Sequence, residues 1–147
     1  MSLRPHSAKE IEKKLRDKGF SAETVKEALE KLRELQYLHD ASFAVQWARN
    51  LAVNKFWSNR KIIADLQTKG VEPQLIDEAV ASARAEFAEK EAVEVLIRKK
   101  TAGKKMAGLD IKEKHKIYQS LLRRGFPPGL ILNKLGKVEE EFNGEDG

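Results

Sequence analysis

The chain has 147 residues, with 28 lysines and arginines against 23 aspartates and glutamates, a formal net charge of +5 and no cysteine. Without thiols, a disulfide framework and a thiolate zinc site are excluded, and no apolar run approaches the roughly 18 residues that a membrane-spanning helix needs. No secretory signal opens the chain, so a cytoplasmic location is expected, and Met1, Ser2 and Leu3 read as a vector-derived start with the natural N-terminus missing.

Ser7 and Glu10 have capping-box spacing, which predicts a first helix from Ser7 to about Lys18. A second helix is expected from about Ala22 to Leu35, with Ser21 as its cap. After Gln36, Tyr37, Leu38 and His39, Asp40 has the chemistry to cap a third helix carrying Phe43, Ala44, Trp47, Leu51 and Phe56 along one side. The fourth is expected from Asn59 to Lys69. The fifth runs from Pro73, where a proline forfeits no helical bond, to about Glu86. A sixth carries Ala92, Val93, Leu96 and Ile97 as far as Thr101, and the stretch to Leu109, with Gly103 and Gly108, reads as a flexible loop. Asp110 and Glu113 then open a seventh helix ending at Gly125, and an eighth runs from Pro128 to about Glu141. No segment alternates as a strand does, so an all-α fold is expected.

Three stretches share one pattern: Ile, Leu four residues on, Gly four further, then Phe or Val, and a second pair of apolar residues four apart. The positions are Ile11, Leu15, Gly19, Phe20, Val25 and Leu29; Ile62, Leu66, Gly70, Val71, Ile76 and Val80; and Ile117, Leu121, Gly125, Phe126, Ile131 and Leu135. Four-residue spacing puts each pair on one helical face. The glycine stands where a chain leaving a helix turns left-handed, and the next residue is expected to close over the leucine, the contact of a Schellman ending. One unit used three times implies tandem three-helix repeats in an elongated, curved row. The expected units are 1–57, 58–105, and 106–147 with an acidic tail.

Catalytic motifs are missing. Gly103 to Gly108 has the glycines of a phosphate loop, but Leu109 and Asp110 stand where lysine and a hydroxyl are required, and no strand precedes it. His39 beside Asp40 has no ligand-spaced companion, since His6 and His115 lie far from it along the chain. No nucleophile motif occurs, so neither an enzymatic activity nor a cofactor is expected. Trp47 falls on an apolar face and is assigned to the core. Trp57, beside Arg60 and Lys61 at a helix junction, is as well placed for exposure as for burial.

Charge is unevenly spread. From Arg98 to Arg124 ten basic residues face only Asp110 and Glu113, and the tail after Val138 is acidic, with Glu139, Glu140, Glu141, Glu145 and Asp146. Such a distribution favours an acidic partner, with possible masking by the tail.

The run Arg4, Pro5, His6, Ser7, Ala8, Lys9, Glu10, Ile11, with Leu15, Lys18, Gly19 and Phe20, then Leu38 to Ala44, and Ile62, Leu66, Lys69, Gly70 and Val71, resembles the RecX family of bacterial recombination regulators from about Arg4 to Phe142. The resemblance implies tandem three-helix repeats, binding to the RecA recombinase filament, and inhibition of its DNA-dependent ATPase, strand-exchange and coprotease activities. It implies no catalytic residues, no cofactor, some affinity, weak and non-specific, for single- or double-stranded DNA, and a monomer when the chain is full length. Family members usually carry a further helix ahead of the Arg-Pro-His-Ser segment, so the first copy is expected to expose apolar surface here. Where they often have glycine near the start of the fourth helix, this chain has Trp57 and Ser58.

The basic residues expected to meet the partner are Arg60, Lys61, Lys99, Lys100, Lys104, Lys105, Arg123 and Arg124. A non-specific DNA-binding helical protein is the competing class, since three-helix units resemble helix-turn-helix modules and the isoelectric point is near 9.4. Against it, Ala22, Pro73 and Pro128 occupy helix starts where polar base-reading side chains are normally presented.

Overall fold

A computed structural model describes residues 5–102 and 108–136, with side chains from residue 9. Among them are seven α-helices and no strand: α1 (Pro5–Asp17), α2 (Ala22–Arg49), α3 (Asn59–Thr68), α4 (Pro73–Glu86), α5 (Glu89–Thr101), α6 (Ile111–Arg123) and α7 (Pro128–Leu135). No described helix is long and apolar enough to cross a membrane.

The three glycines do what the pattern requires. Gly19, Gly70 and Gly125 have φ of 89°, 80° and 94°. At each, the amide of the following residue donates to the leucine carbonyl five residues back: Phe20 to Leu15 at 3.2 Å, Val71 to Leu66 at 3.1 Å, and Phe126 to Leu121 at 3.3 Å. The glycine amide donates to the carbonyl three residues back. These paired bonds satisfy carbonyls that a helix end otherwise leaves open, and the left-handed turn they need penalises any residue with a Cβ.

The copies are not equally buried. Leu66, Val71, Leu121 and Phe126 are buried, whereas Leu15 is half-buried and the Phe20 ring is 49% exposed. Phe20 makes the backbone bond of the motif without the cover expected of its ring. Among the described residues before Ala44, Val25 is the single buried one.

Four expectations are corrected. Helix α1 begins at Pro5, two residues before Ser7. The expected break at residues 36–39 does not exist, and α2 runs unbroken through Asp40 to Arg49. No glycine or proline lies between Ala22 and Arg49, so a break there would leave terminal N–H and C=O groups unpaired with nothing to turn the chain. Asp40 accepts from Gln36 Nε2 one turn earlier, at 2.9 Å, in place of capping a backbone amide. The third correction concerns Phe56, expected on the same helix face as Trp47. Helix α2 instead passes into a π turn, Asn50–Asn54, and Phe56 lies beyond it with φ of 57°. Finally, α7 ends at Leu135, where Gly136 takes φ of 70°, and the rest of the expected helix, to Glu141, lies outside the described residues.

Two hydrophobic clusters carry the fold. One joins Ala44 and Ala48 of α2 and Leu51 and Ala52 of the π turn to Ile62, Leu66, Val71, Leu75, Ile76, Ala79 and Ala83. The other joins Ala92, Val93, Leu96 and Ile97 of α5 to Leu109, Ile117, Leu121, Phe126, Ile131 and Leu135. Helix α5, grouped by sequence with the middle unit, thus buries its apolar face in the third, because its stripe at 92, 93, 96 and 97 faces α6 and α7. Polar ties add to each cluster. Trp47 Nε1 donates to Asp65 Oδ2 at 2.6 Å, Arg49 makes a two-pronged bond to Glu86 at 2.7 Å, and Lys134 pairs with Glu94. Between the first copy and the middle cluster the bare middle of α2 leaves Leu35 and Leu38 more than three-fifths exposed.

Candidate nucleic-acid or partner interface

The middle and third copies meet where the start of α3 faces the end of α6. Ser58 caps α3, its Oγ accepting from Lys61 N at 3.2 Å. The same Oγ lies 2.8 Å from the Arg124 carbonyl oxygen, to which it donates. This side chain is fully buried. One hydroxyl therefore satisfies an orphan amide at one helix start and an orphan carbonyl at another helix end, 66 residues apart. Gly125 permits this approach: a Cβ there would lie 2.8 Å from Ser58 Oγ and 3.5 Å from Arg60 Cβ.

Behind the junction, Arg84 of α4 holds the turn into α3. Its guanidinium donates to Asn59 Oδ1, to the Phe87 carbonyl at 3.2 Å and to the Trp57 carbonyl at 2.7 Å, and Glu89 accepts from Asn59 N at 2.8 Å. Burial holds Arg84 below the ordinary arginine pKa, with Glu89 opposing. The group stays cationic, since arginine titrates far above neutrality.

An open groove of about 590 Å³ runs between the two copies, lined by Arg60, Lys61, Ala64, Ser120, Leu122, Arg123, Arg124 and Gly125. Four of the eight expected contact residues are thus brought to one place: Arg60 and Lys61 from the first turn of α3, Arg123 and Arg124 from the end of α6. All four are exposed, and among the described residues no carboxylate pairs with any of them. Like charges collected along one cleft, without acidic partners, raise the local potential for an anion well above that of scattered surface lysines.

Of the other four, the two that are described, Lys99 and Lys100, do not line this groove. Lys99 sits in the last turn of α5 with its Nζ 4.6 Å from the centre of the Phe56 ring, and Lys100 follows it, exposed. Lys104 and Lys105 lie outside the described residues, as does the acidic tail. Trp47 packs against the middle core as expected, stacked on Phe43 with ring centres 6.0 Å apart. Trp57 is half-buried against that core and carries Lys61 Nζ at 4.1 Å from its ring centre. Sequence reasoning missed Ser58. Its signal was present, a serine directly ahead of Asn59 where α3 begins, but its second bond to a residue 66 positions away has no local trace. Among the described residues, no three His, Asp or Glu side chains converge to hold a metal.

Comparison with known proteins agrees with this architecture. Residues 1–32 match the family model described as RecX, first three-helix domain; residues 40–80 match the second, and residues 88–135 the third. The chain is 30% identical over 143 residues to a regulatory protein RecX of Streptomyces coelicolor, covering 97% of this chain and 74% of that protein. It is 33% identical over 130 residues to one of Pelodictyon phaeoclathratiforme, covering 86% and 76%, and 27% identical over 146 residues to one of Amycolatopsis mediterranei, covering 99% and 82%. No solved structure matches.

Proposed function

From the premise that this chain belongs to the RecX family of regulatory proteins, we propose that it binds the RecA recombinase filament in the cytoplasm and inhibits its DNA-dependent ATPase, strand-exchange and coprotease activities. The observation that carries the reading is the groove of four cations between the middle and third copies. A row of helical units fits along a helical assembly and touches several subunits at once, so modest contacts add through effective concentration. Arg60, Lys61, Arg123 and Arg124 then meet an acidic filament surface or the phosphates of the bound strand, with Lys99, Lys100, Lys104 and Lys105 extending the basic surface. Inhibition follows from hindering subunit exchange or motion, with no bond chemistry. Because Arg60 and Lys61 belong to one copy and Arg123 and Arg124 to the next, a ligand across the groove also favours the arrangement in which the Ser58 bond is made.

The test is RecA ATP hydrolysis on single-stranded DNA, titrated with the intact protein and with a variant carrying Arg60→Glu, Lys61→Glu, Arg123→Glu and Arg124→Glu. The intact protein is expected to inhibit and the variant to inhibit far less. If hydrolysis is untouched by the intact protein, the reading fails. A second reading, a non-specific DNA-binding protein, is favoured by the same carboxylate-free groove. Tight binding to duplex DNA without an effect on hydrolysis would put it first.

A further inference from the structure

Lys61 belongs to two features at once: it lines the basic groove, and its Nζ stands 4.1 Å from the centre of the Trp57 ring. The indole is anchored from behind, by packing on the middle core and by the Arg84 bond to its own carbonyl at 2.7 Å. Lys61 is exposed, and an ammonium in water is held only weakly over a half-buried ring, while the flexible lysine stem lets it move to a stronger partner. A phosphate diester in the groove is such a partner, since it offers a full charge and directed hydrogen bonds. Once Lys61 leaves, the indole presents a fixed, bare face beside a row of cations. That is the combination that holds single strands, because each base has a π-face to stack while its phosphates track the charge. The bases of a duplex are already stacked on one another, and an acidic protein surface would engage the cations while leaving the indole without a partner.

We propose that the groove takes single-stranded DNA, with phosphates on Arg60, Lys61, Arg123 and Arg124 and a base stacked on Trp57 in the place Lys61 now occupies. The filament reading above supplies the source of the strand. The inference itself is tested without the recombinase.

The probes are oligothymidylate of about a dozen nucleotides, within the range such sites cover, an abasic strand of the same length, and a duplex. Binding to the intact protein is followed by anisotropy and by tryptophan emission. Oligothymidylate is expected to quench the emission and to bind about tenfold more tightly than the abasic strand, the effect of one stacked base. The duplex, whose phosphates can draw Lys61 away but which has no free base to stack, is expected to quench the emission no more than the abasic strand does. In Trp57→Phe, most of the quench should vanish while the fold is kept, as judged by circular dichroism. Equal affinity for oligothymidylate and the abasic strand, a quench that survives in Trp57→Phe, or no binding of either strand would overturn the inference. Inhibition of RecA ATP hydrolysis by the intact protein, measured alongside, separates the two failures. If it persists while stacking is absent, the regulator reading stands and this inference alone falls.

Discussion

Replacing each repeat glycine by alanine separates what the motif costs from what the junction costs. All three glycines have positive φ, but a Cβ at Gly19 or Gly70 meets nothing within 4 Å, whereas at Gly125 it would lie 2.8 Å from Ser58 Oγ. For Gly70→Ala only the backbone penalty applies, about 1 to 2 kcal/mol, offset by about 0.4 to 1 kcal/mol from the stiffer unfolded chain. The net loss is about 1 kcal/mol. In Gly125→Ala the Ser58 hydroxyl must also withdraw, and the buried hydroxyl and the Arg124 carbonyl lose their bond, worth about 1 to 3 kcal/mol when a group is left unsatisfied. The expected loss is therefore about 2 to 4 kcal/mol. Ser58→Ala alone should cost about 1 to 3 kcal/mol through the lost cap and the lost bond. With Ser58→Ala already in place the collision at residue 125 is gone, so the double variant should lose at least about 1 kcal/mol less than the sum of the singles, as neighbours that share a contact do. Urea unfolding of the four variants and the parent measures each quantity. Equal losses for Gly70→Ala and Gly125→Ala, or strict additivity at 58 and 125, would refute the reasoning that joins the two copies through this hydroxyl.

Leu66→Ala should destabilise by about 2 to 5 kcal/mol, the range for a fully buried leucine, while Leu15→Ala at the equivalent but half-buried position should cost clearly less; thermal melts of both decide. DNA binding should fall steeply between about 50 and 200 mM salt, because the groove acts through counterion release, whereas inhibition of the recombinase should fall less, since apolar contact is not screened. The fourfold charge reversal in the groove should therefore reduce DNA binding more than inhibition, checked by titrating both activities at two salt concentrations. Asp65 should make acid unfolding steeper. Burial pushes its carboxyl up, but the Trp47 N–H and the Lys69 ammonium outweigh this and hold it below the ordinary value. A depressed folded pKa gives stability that is complete above the unfolded value, near about 4, and is lost as pH falls through the folded one. Asp65→Asn should flatten the pH dependence of unfolding in that range, and an unchanged profile would count against the Trp47 bond.

The helix endings were legible in the sequence because each depends on a handful of neighbouring residues. A glycine that must turn left-handed, a leucine four residues before it and an apolar residue after it are local requirements, so the turns at Gly19, Gly70 and Gly125 and the caps at Ser21 and Asp110 follow from the chain alone. Asp40 shows the limit of that logic. Its side chain suits a cap, yet a cap forms only where the helix has reason to stop, and the uninterrupted run from Ala22 to Arg49 supplied none. Tertiary structure decided the rest. Which cluster α5 joins, how far the first copy is left bare, and the meeting of Arg60 and Lys61 with Arg123 and Arg124 all depend on the angle between successive copies. That angle is set by contacts such as Ser58 with Arg124, between residues 66 positions apart, where one buried hydroxyl has to satisfy two helix ends. Spacing along the chain carries local geometry, but a groove made by two packed units exists only once they are packed.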